Sequence, residues 1–254
     1  MVITSKDNGK VKYIRSLKEK KYRKAEQRYL VEGFKMVKEA FSSGAEVETL
    51  IVAESALNKL SADFFGKTEV MTVTDGVFKK ISDSLTPQGV AAVIKIGRKA
   101  DAIGEVSVML DGVSDPGNMG TIIRTLAALG VKRLYLINCC DPYSPKAVRS
   151  SMSGIYFVDI IETDLASALK DLGDTPILAA DMSGENVFEF DPPKRYCLVI
   201  GNEANGISND VKTASRALVT IPMSGKTESL NAAGAAAIAI YEYTKQRYGY
   251  AGFF

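Results

Sequence analysis

The chain of 254 residues contains no histidine. An imidazole base and a His-dependent nucleophilic triad are therefore excluded within it. Proton transfer must use carboxylate, Lys, Tyr, Cys, Arg or the substrate itself. Three cysteines, Cys139, Cys140 and Cys197, show no paired ligand spacing, so neither a zinc site nor a disulfide framework is expected. A reducing cytoplasm is the natural compartment. No apolar run approaches the roughly 20 residues that span a bilayer. The richest window, Ala232 to Ile240, is short and alanine-dominated, and the N-terminus lacks the apolar core of a signal peptide. No membrane partner and no metal are expected.

Two nucleotide-binding signatures are also missing. No G-x-G-x-x-G follows a strand, and Gly225-Lys226-Thr227 would need glycine at position 220, where Thr220 stands. A phosphotransferase on a P-loop is thereby disfavoured, and binding of ATP would be needed to revive it.

What is present is unevenly placed. Residues 1–40 hold twelve Lys/Arg against five Asp/Glu, and the other 214 hold twenty against twenty-five. The basic excess sits at the N-terminus and favours a polyanion contact there, unless it is only a solvated arm. Val11, Ile14 and Leu17 predict a short basic amphipathic helix within residues 1–28.

From Tyr29 strands and helices alternate. Strands are expected at Tyr29–Val31, Glu48–Val52, Glu69–Val73 and Gly89–Ile96, and helices at Gly33–Phe41, Ala56–Leu60 and Val77–Ser82. This predicts a small α/β domain over 29–97, with a polar linker at 98–105. A second domain, 106–254, alternates again. Its expected strands are Val106–Leu110, Arg133–Ile137, Ile155–Ile160, Ile177–Ala180, Cys197–Ile200 and Ala217–Ile221. Its expected helices are Met119–Leu129, Pro145–Ser150, Leu165–Leu172 and Leu230–Arg247. The pattern is a parallel, doubly wound sheet, which binds ligands beyond the carboxyl ends of its strands.

Three polar, glycine-bearing segments follow apolar strands there: 111–124, 201–209 and 222–231. In the first, Asp115-Pro116-Gly117-Asn118 is turn chemistry, with Asn118 as the expected cap of the next helix. Met119, Ile122, Ile123, Leu126 and Leu129 form its apolar stripe, and Arg124 falls on the opposite face. An ordinary strand-to-helix connection with a solvated arginine would read the same way. In the second, Gly201, Asn202, Glu203, Asn205 and Gly206 stand within six residues and bring a carboxylate to the same edge. A surface turn capped by a short helix is the alternative. In the third, Ser229 and Asn231 open a C-terminal helix unusually rich in small residues. Gly234 in its interior argues for close packing against another element.

Together the three segments resemble the motifs of the SpoU (TrmH-like) branch of the SPOUT RNA methyltransferases. Asn118, Gly120 and Arg124 match the first motif. Gly201, Glu203, Gly206, Ile207 and Ser208 match the second, and Ile221, Pro222, Met223, Gly225, Ser229, Leu230 and Asn231 the third. Order and spacing agree over roughly 130 residues. Glu32-Gly33 and Pro87-Gln88-Gly89-Val90 are similar to signatures of that family's substrate-binding domain. One departure is Ala232-Ala233, where many relatives carry Val-Ser or Val-Ala. It leaves the subfamily open.

The resemblance implies an α/β chain with a small N-terminal substrate-binding domain and a C-terminal parallel-sheet SPOUT domain carrying a trefoil knot. It also implies a homodimer with active sites near the subunit interface. S-adenosylmethionine would be held by backbone around Gly201, Ile221, Met223 and Leu230. The implied reaction moves its methyl group to a ribose 2′-hydroxyl of RNA. Arg124 would stand at that hydroxyl, with Asn118, Glu203, Ser229 and Asn231 orienting it, the ribose and the cofactor. The appended domain and basic arm point to large-subunit (23S) ribosomal RNA, with guanosine favoured. Transfer RNA, a resistance-conferring modification of the same RNA, and a non-catalytic ribosome assembly factor are the alternatives.

Overall fold

The computed structural model describes residues 2–60, 68–97, 104–226 and 229–248. Of the linker expected at 98–105, only Gly104 and Glu105 fall among them. The chain divides into two compact units, Met1–Gly97 with Asp141–Tyr156, and Arg98–Cys140 with Phe157–Phe254.

In the first unit β1 (Arg28–Glu32), β2 (Val47–Ala53), β3 (Glu69–Val73) and β4 (Val90–Lys95) form a sheet in the order β1-β4-β2-β3. β4 lies antiparallel to both β1 and β2, while β2 and β3 run parallel. Val90 to Ile94 is an unbroken run of small apolar residues, all buried, as a central strand covered on both faces requires. The first 28 residues carry the short amphipathic helix expected there and a second helix after it. These are α1 (Gly9–Ser16) and α2 (Lys20–Glu26), and Ile3 bridges Val73. Val11, Ile14 and Leu17 are buried at helical spacing, so this segment is part of the core while most of its lysines stay in solvent.

Asp141–Tyr156, which sequence order places within the second domain, also groups with this unit. Three interactions hold it there. The buried Arg23 guanidinium pairs with Asp141, the Tyr143 ring lies 4.9 Å from that of Tyr29, and the Tyr156 hydroxyl donates to the Met36 carbonyl at 3.1 Å. The strand expected from Ile155 is therefore a single 3₁₀ turn at Gly154–Tyr156, and β7 begins only at Asp159.

The second unit is a six-stranded, wholly parallel sheet. Its strands are β5 (Val106–Asp111), β6 (Arg133–Ile137), β7 (Asp159–Glu162), β8 (Ile177–Asn186), β9 (Tyr196–Gly201) and β10 (Ala217–Thr220). They lie in the order β10-β8-β9-β5-β6-β7. From β5 the chain steps outward to β6 and β7, then crosses to the other side for β8, β9 and β10. The order reverses between β5 and β9, and that is where an open α/β sheet leaves a crevice at its carboxyl edge. Helices α3 (Phe34–Ser42), α4 (Asp75–Ile81) and α6 (Pro145–Ser151) belong to the first unit. In the second, α5 (Pro116–Ala128), α7 (Leu165–Leu172) and α8 (Asn209–Ala214) connect strands, and α9 (Ala232–Tyr248) follows the last one. Among the described residues no helix is long and apolar enough to cross a membrane, and no cluster could hold a metal ion.

Candidate active site

The first polar segment turns directly into α5. Asp115, not Asn118, is the cap: its carboxylate accepts the Asn118 backbone N–H at 2.9 Å, and Pro116 takes the first helical position. Proline is favoured there because its missing N–H would have had no helical partner. Asn118 is consequently inside the first turn, and its side chain is released from capping.

That side chain joins the three segments. The Asn118 amide Nδ2 donates to the Glu203 carboxylate, while its Oδ1 accepts from Asn231 Nδ2 at 3.0 Å. Asn231 in turn caps α9, its Oδ1 accepting the backbone N–H of Ala233 at 2.9 Å and of Gly234 at 3.3 Å. One chain of hydrogen bonds thus runs from Glu203 through Asn118 and Asn231 into the start of α9. Each amide in it has a fixed direction, because a carboxylate can only accept and a backbone N–H can only donate.

The second segment is held by Asn202. Its backbone exchanges two hydrogen bonds of 2.9 Å with Gly206, its Oδ1 accepts from Ala204 and Asn205, and its Nδ2 reaches the Gly112 carbonyl at 2.8 Å. Asp111 at the end of β5 accepts the Ser208 backbone N–H at 2.7 Å. The first two segments are therefore tied together across the β5–β9 pair. A Cβ on Gly201 would stand 2.3 Å from the Gly206 carbonyl carbon, so only glycine fits where this loop folds back.

Beside these loops lies a cleft of about 520 Å³. Gly201, Ile221, Met223 and Leu230 line it, as do Glu203 and Ser229. Apolar side chains and glycines line it together with polar residues such as Asp181, Asn202, Lys212 and Thr220, a mixture that suits a small-ligand site. On the far wall stands an ion pair that no sequence pattern announces: Lys212 of α8 lies 2.6 Å from the Asp181 carboxylate of β8. The lysine, with a hydroxyl and a backbone N–H from Ser183, pulls the Asp181 pKa down to about 2.

Arg124 is not brought into this assembly. It is exposed on α5 and absent from the residues lining the cleft. Six residues beyond Asn118, it is about 9 Å further along the helix and roughly a third of a turn away around it. Sequence reasoning named Asn202 without giving it a role, and it missed Asp111, Asp181 and Lys212. Asp111 was within reach, being a polar residue at the end of a strand. Asp181 and Lys212 carried no motif.

Residues 105–241 match the SpoU rRNA Methylase family, and residues 8–92 match the MRM3-like substrate binding domain. The chain is 29% identical to the 23S rRNA (guanosine(2553)-2′-O)-methyltransferase RlmP of Bacillus subtilis, over 94% of this chain and 97% of that one. It is 32% identical to the 23S rRNA (uridine(2479)-2′-O)-methyltransferase of Streptomyces viridochromogenes, over 86% and 83% of the two chains. Its fold is similar to the crystal structure of an AdoMet-bound rRNA methyltransferase from Sinorhizobium meliloti. That similarity has a TM-score of 0.86 at 29% identity and covers 97% of this chain and 98% of the other.

Proposed function

The chain belongs to the SpoU rRNA methylase family, and from that premise we propose that it transfers the methyl group of S-adenosylmethionine to a ribose 2′-hydroxyl of 23S ribosomal RNA. The observation that carries the reading is the Glu203–Asn118–Asn231 chain at the rim of a nucleoside-sized cleft. It fixes polar groups from all three segments beside the pocket that would hold the cofactor.

S-adenosylmethionine supplies a methyl group activated on a sulfonium. The protein's part is to place the hydroxyl in line with it and to ease loss of its proton. Gly201, Ile221, Met223 and Leu230 hold the cofactor, and the rigid loop at Gly201 keeps its backbone groups in place. Asn118, set by Glu203 on one side and Asn231 on the other, offers its remaining amide hydrogen to the ribose or an adjoining phosphate. Ser229 lies on the same wall and orients the cofactor. Arg124 polarises the hydroxyl or its phosphate. Its guanidinium donates and cannot accept, so it acts as an electrostatic partner.

Because Arg124 stands outside the cleft of its own chain, the site is completed in a homodimer. α9 supplies the surface for it: Gly234, Ile238 and Tyr241 repeat along one exposed side of a helix whose first half is rich in alanine. The first unit binds the RNA substrate, with the exposed lysines of α1 and α2 meeting phosphates. Guanosine is the base assigned, on the likeness to the guanosine-modifying relative.

The test is transfer of labelled methyl to separated 23S, 16S and transfer RNA from cells lacking the modification. Label confined to 23S RNA or large-subunit particles is expected. Label in transfer RNA alone would overturn the substrate, and folded, cofactor-binding protein inert on every fraction would overturn the reaction.

A further inference from the structure

β8 is longer than its partners and does not pair evenly. Ala179 sits opposite Leu218 of β10, but the next β10 residue, Val219, sits opposite Glu185. Five residues, 180–184, are thereby thrown out of the ladder. Such a bulge re-aims side chains and is common beside active sites. Here it turns Asp181 and Met182 into the cleft. Gly184 closes the bulge against β10, where a Cβ would stand 2.4 Å from the Val219 nitrogen.

The Asp181 carboxylate is held from three directions. Oδ1 accepts the Ser183 N–H at 3.0 Å and hydroxyl at 2.6 Å, and Oδ2 takes Lys212 at 2.6 Å. A carboxylate offers about four acceptor sites, so one remains, on Oδ2. Its charge is already balanced by Lys212, which makes it poorly matched to a second cation and well matched to a neutral hydroxyl. The cleft-lining residues beside it in sequence and along β10 as far as Ile221 are apolar (Ala180, Met182, Val219, Ile221) but for Thr220. That setting suits a base better than an amino-acid zwitterion. On the methyltransferase reading, the Glu203 end of the cleft belongs to the reacting side.

Building on the methyltransferase reading, we propose that Asp181, held by Lys212 and Ser183, accepts a hydrogen bond from one ribose hydroxyl of the cofactor's adenosine. Asp181 is then a cofactor-specificity residue, and α8 exists in part to carry its counter-ion.

The test is a ligand-and-protein cycle read as binding affinity. S-adenosylhomocysteine and its 2′-deoxy and 3′-deoxy analogues are titrated into the wild-type protein and into Asp181→Ala. In the wild type, removing the accepted hydroxyl should weaken binding about tenfold, as loss of a bond to a charged group does. In Asp181→Ala the parent ligand should bind about tenfold more weakly, and the hydroxyl should no longer matter beyond about twofold. A folded Asp181→Ala protein that keeps the full discrimination overturns the proposal. If that variant does not fold, the isosteric Asp181→Asn takes its place and should reduce the discrimination to below about threefold, with an undiminished value overturning the assignment. Decarboxylated S-adenosylhomocysteine against Lys212→Met is the counter-arm. A penalty for losing the ligand carboxylate that vanishes in that variant would place the amino-acid end here instead. Failure of the wild type to bind S-adenosylhomocysteine at all would be a failure of the methyltransferase reading itself.

Discussion

Asn231 donates its amide hydrogen to Asn118 at 3.0 Å while its own oxygen caps α9. A single side chain thereby sets the start of the C-terminal helix and orients the central amide of the candidate site.

These two duties can be separated. Asn231→Asp keeps an oxygen for the cap and loses the donor to Asn118. It should melt within a degree or two of wild type yet lose methyl transfer at least tenfold. Asn231→Ala loses both, and its stability should also fall by about 1 kcal/mol, the usual cost of a lost cap. Equal stability losses in both variants, measured by urea titration, would contradict this division.

Arg124→Ala should lower turnover by two orders of magnitude or more and leave the dissociation constant for S-adenosylmethionine within about twofold. Lysine should not restore the rate, since it lacks the planar fork of the guanidinium. Normal single-turnover rates in Arg124→Ala would remove the arginine from the mechanism.

Arg23 is a stability residue by the same reasoning. Its guanidinium pairs with Asp141 and donates to the Leu17 carbonyl at 2.6 Å, all shielded from water. Removing one partner of a buried pair strands the other charge and typically costs about 3 kcal/mol or more. Arg23→Ala should therefore shift the unfolding midpoint strongly. Arg23→Lys should recover only part of it.

How much of the fold and site is legible in the sequence depends on which residues carry a local pattern. The strands at Glu69–Val73 and Arg133–Ile137 and the helix at Leu165–Leu172 fall where their periodicity places them. The three site segments are recognisable because their order and spacing are rigid. The cap of α5 is Asp115 rather than Asn118 because two good caps lie within four residues, and Pro116 decides between them. The grouping of 141–156 with the first unit has no sequence signal, because its apolar residues would serve equally as part of a sheet domain. Asp181 and Lys212 are invisible in the sequence, since only the β8 bulge brings them together.

Deletion of residues 1–28 is a poor test of RNA binding, since Val11, Ile14 and Leu17 are core residues. Lys12, Lys20 and Lys24 are exposed and can be changed to Gln without opening the core. The triple variant should keep its melting temperature, bind RNA more weakly, and show a shallower dependence on salt. The slope should fall by up to about one unit for each phosphate no longer neutralised. An unchanged slope would leave those lysines merely solvated.

The Asp181 carboxyl has its pKa lowered from 3.8 to about 2 by Lys212 and Ser183. A group depressed on folding contributes stability that is present above its unfolded pKa and is lost as pH falls through the folded value. Wild type should accordingly lose stability between about pH 4 and pH 2, in part through this group. In Asp181→Asn that part of the pH dependence should be missing. Superimposable stability–pH curves for the two proteins would show that the pair is not formed in solution.

Digesting the RNA labelled by this protein to nucleosides and identifying the product tests the proposed reaction itself. The label should reside in a 2′-O-methylated nucleoside, with guanosine as its base. Asn118→Ala and Glu203→Gln should each lower the yield at least tenfold. Label found on a base instead of the ribose, or normal yield from both variants, would contradict that reaction.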